Sequence, residues 1–172
     1  MKQVLSVFFT IFQLSCLAQF DKPLSVRATA NFNGVREGLA TNDAGFGLGL
    51  DVSFFSTHRL QALIETSADW FVGDKLLVIN ATTGESSKPA AVHSIKFGPQ
   101  FFVHKSLALS VTYGPAWSVL QDWQYSRNNG IKYSVTGFVG RERKTIAKLF
   151  MVNLPTPQNR IQYFGFAAGI RF

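Results

Sequence analysis

Apolar and polar residues alternate along most of the chain, in eight separate runs. In one of them Phe46, Leu48 and Leu50 alternate with Gly47 and Gly49. A period of two is typical of a β-strand whose two faces meet different surroundings. The runs cover Ser25–Phe32, Ala44–Phe55, Arg59–Phe71, Val92–Val103, Leu107–Leu120, Ile131–Gly140, Thr145–Leu154 and Arg160–Phe172. The pattern therefore predicts an all-β chain of eight strands.

The linkers between these runs favour an antiparallel up-and-down order. Short linkers follow the even-numbered runs, at Ser56–His58, His104–Ser106 and Arg141–Lys144. Those after the odd-numbered runs are longer, the last excepted: Asn33–Asp43, Val72–Ala91, Gln121–Gly130 and Pro155–Asn159. Since every second connection of such a sheet lies at the same end, the sheet has a long-loop end and a short-turn end. This layout is typical of outer-membrane barrels.

The two faces of the runs differ in a way that favours lipid on the apolar side. The apolar faces carry no charge, whereas the opposite faces are mostly Gly, Ser, Thr and Ala with a few charged residues. Small residues suit the interior of a narrow eight-stranded barrel, and a water-facing surface would be about 25–35% charged. We therefore predict an eight-stranded antiparallel up-and-down transmembrane β-barrel. The facing of Thr145–Leu154 stays ambiguous at this point.

The first eighteen residues have the pattern of a cleavable signal peptide. A basic start at Lys2 precedes an apolar stretch from Val4 to Leu17, and small residues occupy positions −3 and −1 before a cut after Ala18. The predicted division is a signal peptide over residues 1–18 and a barrel domain over residues 19–172. The single cysteine, Cys16, falls in the signal peptide, which leaves no disulfide in the mature chain.

Charged residues on the small-residue faces form a predicted lumen charge network. A lone buried charge is costly, so we expect these groups to pair with one another or with water. Two hypotheses stand: the network fills and rigidifies the barrel, or it lines a gated water path, for which eight strands are narrow. The members are Arg27, Asp51, Arg59, Glu65, Asp69, Lys96 and Arg171.

Aromatic residues collect at the ends of the runs, where interfacial belts lie in membrane barrels. The belt at the long-loop end is predicted to hold Trp70, Trp117, Trp123 and Tyr125. At the short-turn end we expect Phe54, Phe55, Phe101, Phe102 and Phe172.

The segment from Tyr163 to Phe172 resembles the closing strand of a Gram-negative outer-membrane protein. In that family a terminal Phe follows apolar residues at alternate positions, matched here by Phe164, Phe166, Ala168, Ile170 and Phe172. The mature chain as a whole resembles the small OmpA/OmpX-type and PorT-like barrels, and Lys96–Gln100 with Tyr113–Pro115 is similar to paired strands of the PorT-like group. The resemblance implies a barrel-insertion signal read by the barrel-assembly machinery, an outer membrane as location with its lipids as partners, and a monomer.

Composition and motifs add few candidates for chemistry. The net charge is +7, from 17 basic and 10 acidic residues, but no basic run exceeds Arg141–Lys144, so we expect no nucleic-acid partner. Gly47 and Gly49 form a G-x-G with no helix after it, which disfavours a nucleotide site. His58, His93 and His104 are far apart, so we expect neither a metal nor a cofactor.

The expected function is a non-enzymatic structural or surface-interaction role in the cell envelope, acting through exposed loops and first through Val72–Ala91. Two alternatives stay open. One is a secreted soluble barrel that binds an apolar ligand, as lipocalins do, with its apolar face inward. The other is a lipid-modifying outer-membrane enzyme, for which His93 and Ser94 near Glu85 are the candidate residues.

Overall fold

The computed structural model describes residues 24–39, 44–54, 59–73, 78–80, 85–86, 90–119, 125–140, 142–156 and 160–172. The strands in these ranges are β1 (Leu24–Glu37), β2 (Ala44–Phe54), β3 (Leu60–Phe71), β4 (Val78–Asn80), β5 (Glu85–Ser86), β6 (Ala90–His104), β7 (Leu107–Val119), β8 (Tyr125–Val139), β9 (Thr145–Pro155) and β10 (Arg160–Arg171). None of these residues belongs to a helix long and apolar enough to cross a membrane. The predicted signal peptide lies outside the described residues.

Eight of the strands form a closed antiparallel barrel in the order β1-β10-β9-β8-β7-β6-β3-β2, which confirms the predicted fold. The first and last strands close it, with Arg27 opposite Arg171 and Phe32 opposite Phe166. The remaining two, β4 and β5, form a separate small sheet within the connection between β3 and β6. Closure matters because it pairs the backbone groups that an open sheet would leave free at its edges.

The barrel wall extends further at the long-loop end than the alternation predicted. Strand β1 continues to Glu37, and β8 begins at Tyr125, six positions before Ile131. The prediction of a linker over Gln121–Gly130 is therefore wrong for residues 125–130, which belong to β8, and its first four residues lie outside the described ranges. Ser126 to Asn129 are polar on both faces and lack the alternation, but their backbone still pairs with β7, where Arg127 lies opposite Trp117.

Side chains face as the alternation predicts. On β7, Leu109, Val111 and Tyr113 point outward and are 44%, 46% and 56% exposed, whereas Ser110 and Thr112 between them are buried inside. The ambiguous strand β9 directs Ile146, Lys148, Phe150, Val152 and Leu154 inward, all of them buried. Both faces of β9 carry apolar residues, so its facing was not readable from the pattern.

Two glycines let neighbouring strands approach closely. A Cβ added to Gly98 on β6 would lie 2.0 Å from the carbonyl oxygen of Val111, and one added to Gly114 on β7 would lie 2.3 Å from that of Ile95. Any larger residue would force the two backbones apart. These glycines belong to the two Gly-Pro segments noted in the sequence, which the structure places on adjacent strands.

Candidate functional site

Charged side chains form a continuous row along the inner face of five adjacent strands. Register pairs Arg171 with Arg27 and Arg27 with Asp51; Asp51 then pairs with Glu65, and Glu65 with Lys96. Because paired residues point to the same side, all five face the interior. Each of the five occupies an inward position in the alternation of its own strand, so the sequence alone could identify them as interior residues.

Two lysines reach this row from the opposite wall. The ammonium of Lys148 on β9 lies 2.8 Å from Oδ2 of Asp51 and also contacts Glu65. The ammonium of Lys132 on β8 lies 3.4 Å from Oε1 of Glu65. Neither lysine was among the predicted network residues, since their partners lie across the barrel rather than on a neighbouring strand.

We define the charge cluster as Arg27, Asp51, Glu65, Lys132 and Lys148. The Nε of Arg27 lies 3.8 Å from Oδ2 of Asp51, and Thr112 donates a hydrogen bond of 2.5 Å to Oε2 of Glu65. All five cluster residues are at most 5% exposed. Charges this deep are costly unless they are paired. These contacts pair both carboxylates, whereas Nε and Nη2 of Arg27 have no hydrogen-bond partner among the described residues.

Asp69 belongs to a second, separate group nearer the long-loop end. Its Oδ1 accepts hydrogen bonds from the side-chain amides of Asn31 and Asn33, at 3.1 and 2.9 Å. Its Oδ2 accepts from the hydroxyls of Ser67 and Tyr163, at 3.1 and 3.0 Å. Four converging donors satisfy this carboxylate, so it stabilises contacts among the three strands β1, β3 and β10.

The other predicted network residues take no part in the ion pairs of the charge cluster described above. Lys96 is buried, and within the described ranges its Nζ has no hydrogen-bond partner. Arg171 donates a hydrogen bond of 2.7 Å to Ser25, and its guanidinium lies 5.8 Å from the ring of Phe138 at the short-turn end. Arg59 is exposed, because it precedes the first residue of β3 at the barrel rim, so the structure does not place it in the interior.

Apolar side chains close the interior on both sides of the charge cluster. The short-turn layer is Ala108, Phe138 and Ile146 with the half-buried Phe102. The long-loop layer is larger and comprises Leu39, Phe71, Ala90, Val92, Ala116, Phe150, Val152, Leu154, Ile161, Tyr163 and Ala167. Because apolar constrictions oppose the passage of ions and water, this arrangement favours a filled, rigid interior over a water path.

The aromatic belt at the long-loop end extends over neighbouring strands. Trp70 on β3 lies 5.7 Å from the ring of Phe46 on β2 and 6.1 Å from His93 on β6. The guanidinium of Arg127 lies 5.9 Å from the ring of Trp117. Trp123 and the side chain of Tyr125 lie outside the described residues.

The short-turn end departs from its prediction at one residue. Phe101 points outward, but Phe102 turns inward and stacks on Phe138 with ring centroids 5.6 Å apart. Strand alternation requires one of two consecutive residues to face inside, so both could not join an outer belt. Phe55 lies outside the described residues.

The residues considered for lipid-modifying catalysis face opposite sides of the wall. His93 is exposed on the outer face of β6, whereas Ser94 is buried and lies 3.1 Å from the hydroxyl of Ser67 inside. A histidine cannot activate a serine through the barrel wall, because the two must lie within hydrogen-bond reach. Within the ranges that the structure covers, no three His, Cys, Asp or Glu residues are grouped to hold a metal ion.

Comparison with known proteins identifies the fold. No family model matches the chain, and no curated protein matches it. Among solved structures, Ail of Yersinia pestis bound to the heparin analogue sucrose octasulfate has a TM-score of 0.58 at 10% identity, over 87% of this chain and 97% of Ail. Neisserial surface protein A has a TM-score of 0.56 at 13% identity, over 86% and 95%. The N-terminal barrel domain of Pseudomonas aeruginosa OprF has 0.55 at 13%, over 86% and 97%.

The chain thus has the fold of the small outer-membrane β-barrels. The structural match covers nearly the whole of each related barrel. Because the sequence identity is only 10–13%, this match supports a shared fold and nothing further. Fold by itself does not assign a function.

Proposed function

We propose that this protein is an integral outer-membrane β-barrel with a non-enzymatic structural or surface-interaction role. One observation carries the membrane location: large apolar side chains cover the outside, while most of the charged side chains of the strands are buried inside. Phe32, Phe97 and Leu149 are 65%, 57% and 60% exposed, whereas Glu65 and Lys148 are 2% exposed. Soluble monomers rarely expose apolar patches of this extent, and hydrocarbon removes the cost.

The observed facing opposes the soluble alternative. A lipocalin-like barrel encloses an apolar ligand between inward-facing apolar residues. Here the middle of the interior holds the charge cluster, and both ends of the interior are filled by apolar layers.

A surface-interaction role belongs to the long-loop end. The connection between β3 and β6 is the longest, and it contains the β4–β5 hairpin. The fold neighbours include an attachment invasion locus protein and a neisserial surface protein. These names refer to attachment and to the cell surface, which supports a surface role for this chain and leaves its partner open.

Delivery by the signal peptide and insertion by the barrel-assembly machinery belong to the same proposal, as do a monomeric state and membership of the PorT-like group. The alternate residues of the insertion signal support it, because Phe164, Phe166, Ala168, Ile170 and Phe172 all point outward and are exposed. The continuous apolar face suits contact with lipid in the closed barrel. The backbone edge of β10, unpaired before β1 closes the barrel, suits recognition by strand addition.

The test combines fractionation, gel mobility and surface proteolysis in a Gram-negative host. We expect the protein in the outer-membrane fraction and a change in gel migration on boiling. Trypsin added to intact cells should cut after Lys75, between β3 and β4, and should spare Lys105 and Lys144 at the short-turn end until the cells are permeabilised. Recovery in the soluble fraction without detergent would refute the membrane location, and cleavage at Lys105 in intact cells would refute the orientation.

A further inference from the structure

The outer wall has a depression over β3, on the side that the proposed function places in lipid. Thr66 and Ala68 are small outward residues, and larger side chains of the neighbouring strands stand on both sides of them. The depression measures about 350 Å³, and its lining includes Leu50, Thr66, Ala68, His93, Ile95 and Trp117. The outward-facing side chains of this lining are mostly apolar, and the imidazole of His93 and the indole of Trp117 lie toward the long-loop end.

A single cation lies beyond Trp117 on β8, in the same cross-strand row as His93 and Ala68 of the depression. Among the described side chains on the outward faces of β2, β3, β6, β7 and β8, Arg127 is the one with a formal charge. It pairs across the sheet with Trp117, which lines the depression, and its guanidinium lies over that indole at 5.9 Å from the ring centre. An apolar cleft therefore ends near an exposed guanidinium, and none of the described side chains on the outward faces of these strands is a carboxylate.

We propose that the depression binds one anionic, phosphate-bearing lipid, with an acyl chain against Thr66 and Ala68 and the phosphate on Arg127. The proposal rests on the proposed function, because the wall meets lipid only if the barrel lies in a membrane. A guanidinium offers paired N–H donors that match phosphate oxygens. A cleft left unfilled would forfeit dispersion contacts along its lining, which an acyl chain restores.

Charge favours this occupant over a second copy of the chain. A symmetric dimer formed through this wall would use the same patch on both subunits. It would bring two Arg127 side chains to one apolar interface without a described acidic partner. An anionic headgroup instead neutralises the charge at the depth where indole rings prefer to lie.

The experiment measures quenching of Trp117 by brominated acyl chains. The chain has three tryptophans, so the combined substitutions Trp70→Phe and Trp123→Phe leave Trp117 as the sole reporter. The folded protein is placed in vesicles of brominated phosphatidylglycerol or brominated phosphatidylcholine, each diluted with the unbrominated zwitterionic lipid. We expect the anionic lipid to quench with about fivefold higher apparent affinity, and high salt to reduce this preference.

Two substitutions and one control separate the parts of the site. Arg127→Gln should abolish the preference for the anionic lipid, and Ala68→Leu should weaken quenching by both lipids by filling the cleft. The control is Arg160→Gln. Arg160 is an exposed arginine on β10, at the same long-loop end of the barrel as Arg127 but three strands from β3, so its replacement should leave the preference for the anionic lipid unchanged. A boiling-dependent gel shift verifies that each variant is folded. If a variant does not fold, the salt dependence of lipid quenching in the parent protein tests the role of the charge instead.

Three results would overturn the assignment while leaving the membrane location intact. They are equal quenching by both lipids, a preference that survives Arg127→Gln, or a folded, membrane-inserted protein in which neither lipid reaches Trp117 because another protein copy covers it. Failure of the proposed function looks different, since the protein would then remain soluble in the absence of detergent and would not insert into the vesicles.

Discussion

Lys148 on β9 donates a hydrogen bond of 2.8 Å to Asp51 on β2, although 97 positions separate them in the chain. The same ammonium contacts Glu65 on β3. One lysine thus links two carboxylates of adjacent strands to the opposite wall of the barrel. We infer that it acts as a cross-brace within the interior.

Replacing Lys148 by methionine should destabilise the barrel by about 3 kcal/mol. Breaking a buried ion pair typically costs about 3–5 kcal/mol because it leaves an uncompensated buried charge. The low end applies here, since Arg27 still faces Asp51 and Lys132 still faces Glu65. Urea unfolding of the protein in lipid vesicles, followed by tryptophan fluorescence, measures the free energy of unfolding.

The matched control is Lys144→Met. Lys144 pairs with Glu142 outside the barrel, and both side chains are about 70% exposed. A solvated pair of this kind contributes roughly 0–1 kcal/mol. Equal losses for Lys144→Met and Lys148→Met would contradict the cross-brace.

Lys96→Met should have the opposite outcome to Lys148→Met, although both lysines are buried. Lys96 Nζ has no hydrogen-bond partner within the described ranges, and an apolar side chain of similar length removes its desolvation cost. We expect the free energy of unfolding to stay constant or rise by about 1 kcal/mol. A loss of about 2 kcal/mol or more in the same unfolding assay would show that Lys96 is an essential member of the interior network.

Tyr163→Phe should lower the free energy of unfolding by about 1–2 kcal/mol. The substitution removes the hydroxyl that donates to Asp69 at 3.0 Å, and a hydrogen bond to a charged acceptor contributes more than a neutral one. The loss stays limited because Asn31, Asn33 and Ser67 still donate to that carboxylate. Tyr133→Phe, on the outward face of β8, is the control and should change little; a similar loss there would point to a general effect of the hydroxyl.

An arginine introduced on the outer wall should destabilise the folded barrel by an amount that depends on how deep in the bilayer it lies. Val111 lies midway along the outward face of β7, whereas Val139 ends β8 at the short-turn rim; they are 46% and 56% exposed. Arginine costs about 2–4 kcal/mol at the bilayer midplane and about 0–1 kcal/mol near the interface. We expect Val111→Arg to reduce the folded fraction in vesicles strongly and Val139→Arg hardly at all. Two equally mild effects would argue against hydrocarbon around this wall.

The sequence by itself determined the eight strands of the barrel, their antiparallel order and the facing of seven of them, but it did not predict the small β4–β5 sheet. Alternation is a local property that adjacent residues such as Leu109, Ser110 and Val111 already carry. It also identified the row from Arg171 to Lys96, because each member faces inward on its own strand.

Only the closed barrel decided which charges meet across the interior. Lys132 and Lys148 reach Asp51 and Glu65 through the curvature and register of the whole wall, and no local pattern records a distance between opposite strands. Closure also decided the facing of β9, whose inward side is apolar apart from Lys148 because it completes the layers on both sides of the charge cluster. A period of two says which side of a strand a residue occupies, and the tertiary structure alone says what lies opposite.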